Sequence, residues 1–193
     1  SPPFGQRYAE LAARALRGQG GPEPWVLAGH SGAGRLLAVV ALAVETSALV
    51  FVDAGLPGEP SHLATAPGGV RLHAFSLADD RGMLPPWTEW WPAEVLDQIL
   101  PDQAQQQALR SDTPRVPFDL LVEPLPQAQE KVPCGYLAFT YETEWLEAQR
   151  RGWPTATLDG GHLHQMVAPA EVAGAIEALA RATMERGGQS APG

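Results

Sequence analysis

The sequence predicts an α/β fold, with a mostly parallel sheet and helices on both of its faces. Three observations carry this. Strand-like and helix-like segments alternate along the chain outside one middle stretch, which implies crossover connections and parallel pairing. The run Ser47-Ala48-Leu49-Val50-Phe51-Val52 is continuously apolar and β-branched, the pattern of a strand covered by helices on both sides. From Pro24 to Leu37, the segment PWVLAGHSGAGRLL joins an apolar strand to an apolar helix through a tight turn of small residues.

The first predicted element is a helix over about Arg7 to Arg17, with Tyr8, Leu11, Ala12 and Leu16 on its inward face and Gly18 stopping it. Because the chain begins at Ser1 and opens on a helix, a segment missing upstream is expected. A helix over Gly34 to Val44 follows the tight turn, then the Ser47 to Val52 strand ends at Asp53 and is broken by Ala54-Gly55-Leu56-Pro57-Gly58. Residues 61–131 differ in character, with prolines, three tryptophans (Trp87, Trp90, Trp91) and short amphipathic stretches, and read as an inserted cap. Its predicted helices are Pro92 to Leu100 and Asp102 to Arg110, separated by Pro101. Regular alternation then resumes with a strand at Cys134 to Thr140, a helix at Glu144 to Arg151, a strand at Trp153 to Leu158 and a last helix at Ala170 to Arg186. Val172, Ile176, Leu179 and Thr183 or Met184 form that helix's inward stripe. Residues 1–60 and 132–186 thus make the core, and 187–193 a flexible polar tail.

Composition excludes several function classes. At 193 residues the chain fits one domain large enough to bury a core. Its net charge of −9, with Lys131 the only lysine and no basic stripe, argues against nucleic acid as a partner. The longest apolar stretch, around Leu36 to Val44, falls short of the roughly 20 residues that span a bilayer, and no signal pattern opens the chain. A soluble, cytoplasmic protein without a membrane partner is predicted. One cysteine, Cys134, allows neither an intrachain disulfide nor a thiolate metal site and is expected to be a small buried hydrophobe.

The turn Gly29-His30-Ser31-Gly32-Ala33 fits G-x-S-x-small, in which a serine is held at positive φ between a strand and the helix packed behind it. Gly29 and Ala33 leave room for the backbones, Gly32 offers an unobstructed N–H, and the helix N-terminus favours developing negative charge. A simple capping serine or a phosphate loop fits less well, since neither a lysine after the glycines nor G-x-G-x-x-G spacing is present. A serine nucleophile needs a base, and the base a group that fixes its tautomer. His162, in Asp159-Gly160-Gly161-His162 between the last strand and last helix, is the candidate base, because parallel strands deliver their C-terminal ends to one edge of the sheet. His164 is expected to point away or line a rim, His30 to pack or shape a pocket, and His62 and His73 to lie on the surface. No third ligand accompanies His162 and His164, so no metal site is predicted. The orienting acid is Asp53, at the end of its strand, or Glu142, beyond the strand that starts at Cys134. The alternatives are a turn aspartate for Asp53 and a helix first-turn charge for Glu142 and Glu144. The tryptophans either clamp the cap to the core or line an apolar pocket.

In the order Ser31, Asp53 or Glu142, His162, the chain resembles the α/β-hydrolase superfamily. The matching pieces are Gly29 to Ala33, Val52-Asp53-Ala54, and Gly160-Gly161-His162 followed by Pro169-Ala170-Glu171-Val172-Ala173. The resemblance implies Ser31 as nucleophile, His162 as base, an acid after a strand, and a helical cap above the site. It also implies an N-terminally reduced member: the strand ending in an HG-type loop, which gives the family its second oxyanion-hole N–H, is not found, leaving Gly32 as the placed donor. A preceding segment or another chain would complete the sheet, or hydrolysis would be feeble. The leading expectation is a serine esterase or thioesterase acting on a small apolar substrate, with no metal or organic cofactor. The competing one is a hydrolase fold used for non-hydrolytic catalysis, such as cyclisation, or for ligand binding.

Overall fold

A computed structural model of the chain describes residues 3–21, 23–58, 76–125 and 132–189. His62, His73, Lys131, the first and last parts of the predicted cap (61–75 and 126–131) and tail residues 190–193 lie outside them. The core elements are α1 (Phe4–Gly18), β1 (Trp25–His30), a 3-10 turn (Ser31–Ala33), α2 (Gly34–Ala41) and β2 (Thr46–Val52). The intervening segment contains β3 (Met83–Leu84), a 3-10 turn (Trp87–Glu89), α3 (Ala93–Ile99), α4 (Gln103–Asp112), β4 (Val116–Pro117) and α5 (Phe118–Val122). The chain then returns to the core with β5 (Cys134–Ala138), α6 (Glu142–Arg150), β6 (Thr155–Thr157), α7 (His164–Val167) and α8 (Pro169–Gln189).

The main sheet has the order β1-β2-β5-β6, and every pairing in it is parallel. Residues alternate between its faces, as a pleated strand requires. On β2, Leu49 and Phe51 join Leu27, Leu37, Val39, Tyr136 and Ala148 in the core under α1, α2 and α6. Val50 and Val52 face the other way and pack with Leu137 against Val172, Leu179 and Ala180 of α8. The continuous apolar run of β2 thus has a helix layer on each side. β1 has one neighbouring strand among the described residues, and Val26 on it is 38% exposed.

Several boundaries and faces differ from the sequence expectations. On α1 the buried residues are Gly5, Ala9 and Ala13, while Leu11 and Tyr8 are exposed. Small side chains let α1 approach α2 closely, a fit that periodicity of large apolar residues does not reveal. α2 ends at Ala41 because Leu42 and Ala43 close tighter turns onto Val39 and Val40. β6 starts only at Thr155, after a proline that offers no N–H to a ladder. α8 runs through Gly187 and Gly188 to Gln189, where the tail was expected to begin; Gly187 packs against Pro133, where a Cβ would meet its ring. Of the two alternatives for its stripe, Thr183 is buried and Met184 is exposed. Cys134 is buried, and no helix of the described residues is long and apolar enough to cross a membrane.

Arg35 and Glu123 are among the residues that fasten the intervening segment to the core. Arg35 of α2 donates from its guanidinium to the carbonyls of Leu121 and Glu123 at 3.3 and 3.4 Å, satisfying acceptors at the C-terminal end of α5. The Glu123 carboxylate in turn accepts from the backbone N–H groups of Phe4 and Gly5, in the first turn of α1.

Candidate active site

The parallel register of β1 and β2 pairs His30 with Val52, so the next residues, Ser31 and Asp53, emerge side by side at the C-terminal edge of the sheet. Both adopt positive φ, 55° for Ser31 and 42° for Asp53, a conformation that strains non-glycine residues by about 1–3 kcal/mol. In each case it turns the chain sharply out of the strand and aims the side chain across the edge. α2 starts immediately behind Ser31, and space there is scarce: a Cβ at Gly34 would lie 2.6 Å from the Gly55 carbonyl oxygen and 2.7 Å from Ala54 Cβ. Gly34→Ala therefore forces backbone movement in the turn after Asp53. It is expected to destabilise the fold by about 1–3 kcal/mol, read as a lowered urea midpoint.

His162 bridges the two strand ends. Its Nδ1 lies 2.7 Å from Asp53 Oδ2 and its Nε2 3.0 Å from Ser31 Oγ. The Asp53 environment fixes which nitrogen carries the proton. Asp53 is fully buried, and its Oδ1 accepts backbone N–H bonds from Phe139, Thr140 and Tyr141 at 2.7 to 2.8 Å. Its Oδ2 accepts from Thr140 Oγ1 as well as from His162. Burial alone would raise this carboxyl, but the hydrogen bonds from His162 and Thr140 outweigh it and hold Asp53 below the usual carboxylate range. An ionised carboxylate only accepts, so His162 Nδ1 donates to it and Nε2 is left with a lone pair facing the Ser31 hydroxyl. That arrangement can remove a proton from Ser31 Oγ.

The same bonds explain why β5 ends at Ala138 rather than at Thr140. The N–H groups of Phe139, Thr140 and Tyr141 turn inward to the carboxylate and leave the sheet ladder. Tyr136 braces the other side: its hydroxyl donates to the Ala54 carbonyl at 2.9 Å and accepts from the Ala54 N–H at 3.0 Å.

Other sequence candidates take different places. His30 donates from Nε2 to the His162 carbonyl at 2.7 Å, its ring 4.5 Å from the His162 ring. Burial first, and the neighbouring His162 second, lower its pKa to about 4. His164 is buried rather than on a rim: it sits edge-on to Phe139 and 3.3 Å from the Glu171 carboxylate. Glu142 and Glu144 lie in the first turn of α6. Among the described residues, no group of three or more His, Cys, Asp and Glu side chains is placed to hold a metal ion.

A cavity of about 350 Å³ opens onto Ser31 and Gly32. Its walls include Trp87, Trp90, Leu120, Leu121 and Leu125 from the intervening segment, and Tyr8 from α1. Trp90 also packs on a small apolar cluster of that segment and Trp87 on one that joins Leu96 and Leu100 to Leu163 and Met166 of the core, so they both hold the segment and line the cavity, while Trp91 is 40% exposed. Gly32 presents open space where a Cβ would sit. Sequence reasoning missed Tyr141, which lines the cavity beside Ser31 and stacks on His162; its place just past β5, at the same sheet edge as Ser31 and Asp53, was the available signal.

No family model and no curated protein matches the chain. Solved structures do. An extracellular alpha/beta-hydrolase from a Paenibacillus species, described as homologous in structure and function to tobacco salicylic acid binding protein 2, aligns with a TM-score of 0.71 at 18% identity, over 91% of this chain and 79% of that one. The thioesterase domain from the curacin biosynthetic pathway aligns with a TM-score of 0.52 at 20% identity, over 90% of this chain and 72% of that one. With its parallel sheet, its helices on both faces and these neighbours, the chain has the α/β-hydrolase fold.

Proposed function

We propose that this protein is a serine hydrolase that cleaves an ester or thioester with an apolar acyl group, using Ser31 as nucleophile, His162 as general base and Asp53 as the group that orients it. The observation that carries this reading is the unbroken line of hydrogen bonds from Asp53 through His162 to Ser31 at the mouth of an apolar cavity. Ser31 Oγ attacks the acyl carbon as its proton passes to His162 Nε2. The ionised Asp53 stabilises the imidazolium, and the protonated His162 then releases the alcohol or thiol. Water repeats the sequence on the acyl-enzyme. The Gly32 N–H, next to the nucleophile in the 3-10 turn that leads into α2, donates to the oxyanion.

In this reading the segment between β2 and β5 is a cap over the site, and its leucines and tryptophans receive the acyl group. The side of β1 that no described strand pairs is where a preceding segment or another chain would add one. The reaction needs no cofactor. The curacin thioesterase and the Paenibacillus hydrolase support acyl chemistry by likeness of fold.

An activity-based fluorophosphonate probe tests the assignment. It is expected to label the wild type at Ser31 and to leave Ser31→Ala unlabelled. Absence of labelling in a folded wild type, together with no turnover across a series of p-nitrophenyl esters, would refute it in favour of ligand binding or non-hydrolytic chemistry.

A further inference from the structure

Tyr141 touches every member of the Ser31–His162–Asp53 line. Its backbone N–H donates to Asp53 Oδ1 at 2.8 Å. Its ring lies nearly parallel to the His162 imidazole, 12° between planes and 4.9 Å between centroids. Its side chain and that of Ser31 line the same cavity, with the phenol hydroxyl beside Ser31. Which of the two hydroxyls can donate follows from the other contacts. Ser31 gives its only proton to His162 Nε2, so Ser31 Oγ accepts from Tyr141, and the phenol is the donor. Burial above all pushes the phenol's pKa up, which keeps this proton in place at neutral pH.

We propose that Tyr141 is a catalytic residue whose phenol O–H donates to the oxyanion, as a second donor beside the Gly32 N–H. This rests on the reading of Ser31 as nucleophile. When the bond from Ser31 Oγ to the acyl carbon forms, the Oγ proton goes to His162 and the carbonyl π pair moves onto the carbonyl oxygen. Oγ becomes an ester-type oxygen and a weak acceptor, while the new oxyanion is a strong one bonded to the same carbon. The phenol hydrogen bond therefore passes from Oγ to the oxyanion, and Tyr141 keeps its proton throughout. Collapse returns the electron pair to the carbonyl, breaks the bond to the leaving group, and delivers the proton held by His162 to it. The interaction strengthens as charge develops, which is what distinguishes transition-state stabilisation from substrate binding. The stacked ring and the bonded N–H fix the phenol in advance, so little reorganisation accompanies the reaction.

Tyr141→Phe isolates the hydroxyl, because it keeps both the ring stack and the backbone N–H to Asp53. With p-nitrophenyl butyrate as probe, kcat is expected to fall by about 10²-fold with KM little changed. The affinity for a trifluoromethyl ketone, which forms a tetrahedral oxyanion on Ser31, should fall by a similar factor while the melting temperature holds. Wild-type kcat in Tyr141→Phe overturns the proposal, as does a lower kcat with undiminished ketone affinity. Either result leaves the hydrolase reading standing. A folded wild type that neither labels with fluorophosphonate nor turns over esters overturns both.

Discussion

Asp53→Asn is expected to lower kcat by about 10⁴-fold while the protein remains folded. The size of the effect comes from the tautomer rather than from lost packing. The three backbone N–H groups that converge on Oδ1 accept no hydrogen bonds, so the amide of an asparagine must place its carbonyl oxygen there and its NH2 at the Oδ2 position. That NH2 donates to Thr140 Oγ1, which can accept, and to His162 Nδ1. Nδ1 must then carry the lone pair and Nε2 the proton. An Nε2–H facing Ser31 cannot take the hydroxyl proton, although every heavy atom is where it was. Steady-state turnover of a p-nitrophenyl ester measures the loss, and circular dichroism melting checks the fold. Activity of Asp53→Asn within about tenfold of wild type would mean that another group orients His162. Alanine is a poorer probe, since it removes the buried acceptor of three N–H groups and is expected to destabilise the β5 end directly.

The same chemistry explains how far the site was legible in the sequence. Ser31, Asp53 and His162 each stand at the C-terminal end of a segment that reads as a strand, and parallel strands bring those ends together. Residue types and strand assignments suffice for that. Choosing Asp53 over Glu142 needs the pairing of His30 with Val52, which sets Asp53 beside Ser31, and the sequence carries no register. Tyr141 was missed for a related reason. The inward turn of residues 139–141 is dictated by the buried carboxylate of Asp53, more than 80 positions earlier. Local patterns instead extend the strand to Thr140. In the intervening segment, the helices flanking Pro101 could be read, and Asp102 caps the second of them through Gln105 N–H. The two-residue β3–β4 pair and the five-residue α5 could not, because elements so short owe their form to tertiary contacts such as Arg35 on Leu121. On α1 the inward face was read in part: Ala12 and Leu16 pack on the core, but Tyr8 and Leu11 are exposed, and the most buried positions are the small Gly5, Ala9 and Ala13.

His30 gives the fold a pH dependence of its own. Its Nε2–H is committed to the His162 carbonyl, and burial first, then the nearby His162, hold its pKa at about 4 against an ordinary value of 6.5, with Asp53 pulling the other way. Between those two values the unfolded chain binds a proton at position 30 that the folded chain refuses. Stability therefore falls as the pH drops from 6.5 to about 4, and this group contributes no further change below that. The shift corresponds to about 3 kcal/mol at most, at roughly 1.4 kcal/mol per unit. Asp53 acts in a separate window. Its folded-state pKa is depressed, so its stabilisation is present above the ordinary carboxylate value and is lost only as the pH falls below it. His30→Asn removes the titrating group while leaving Asp53, His162 and His164 common to both proteins. Urea unfolding of wild type and variant at pH 7, 5.5 and 4 is expected to show a steeper loss in the wild type, the difference accumulating between pH 6.5 and 4. Parallel pH profiles would mean that His30 is protonated in the folded protein, and that its bond to the His162 carbonyl is made by an imidazolium.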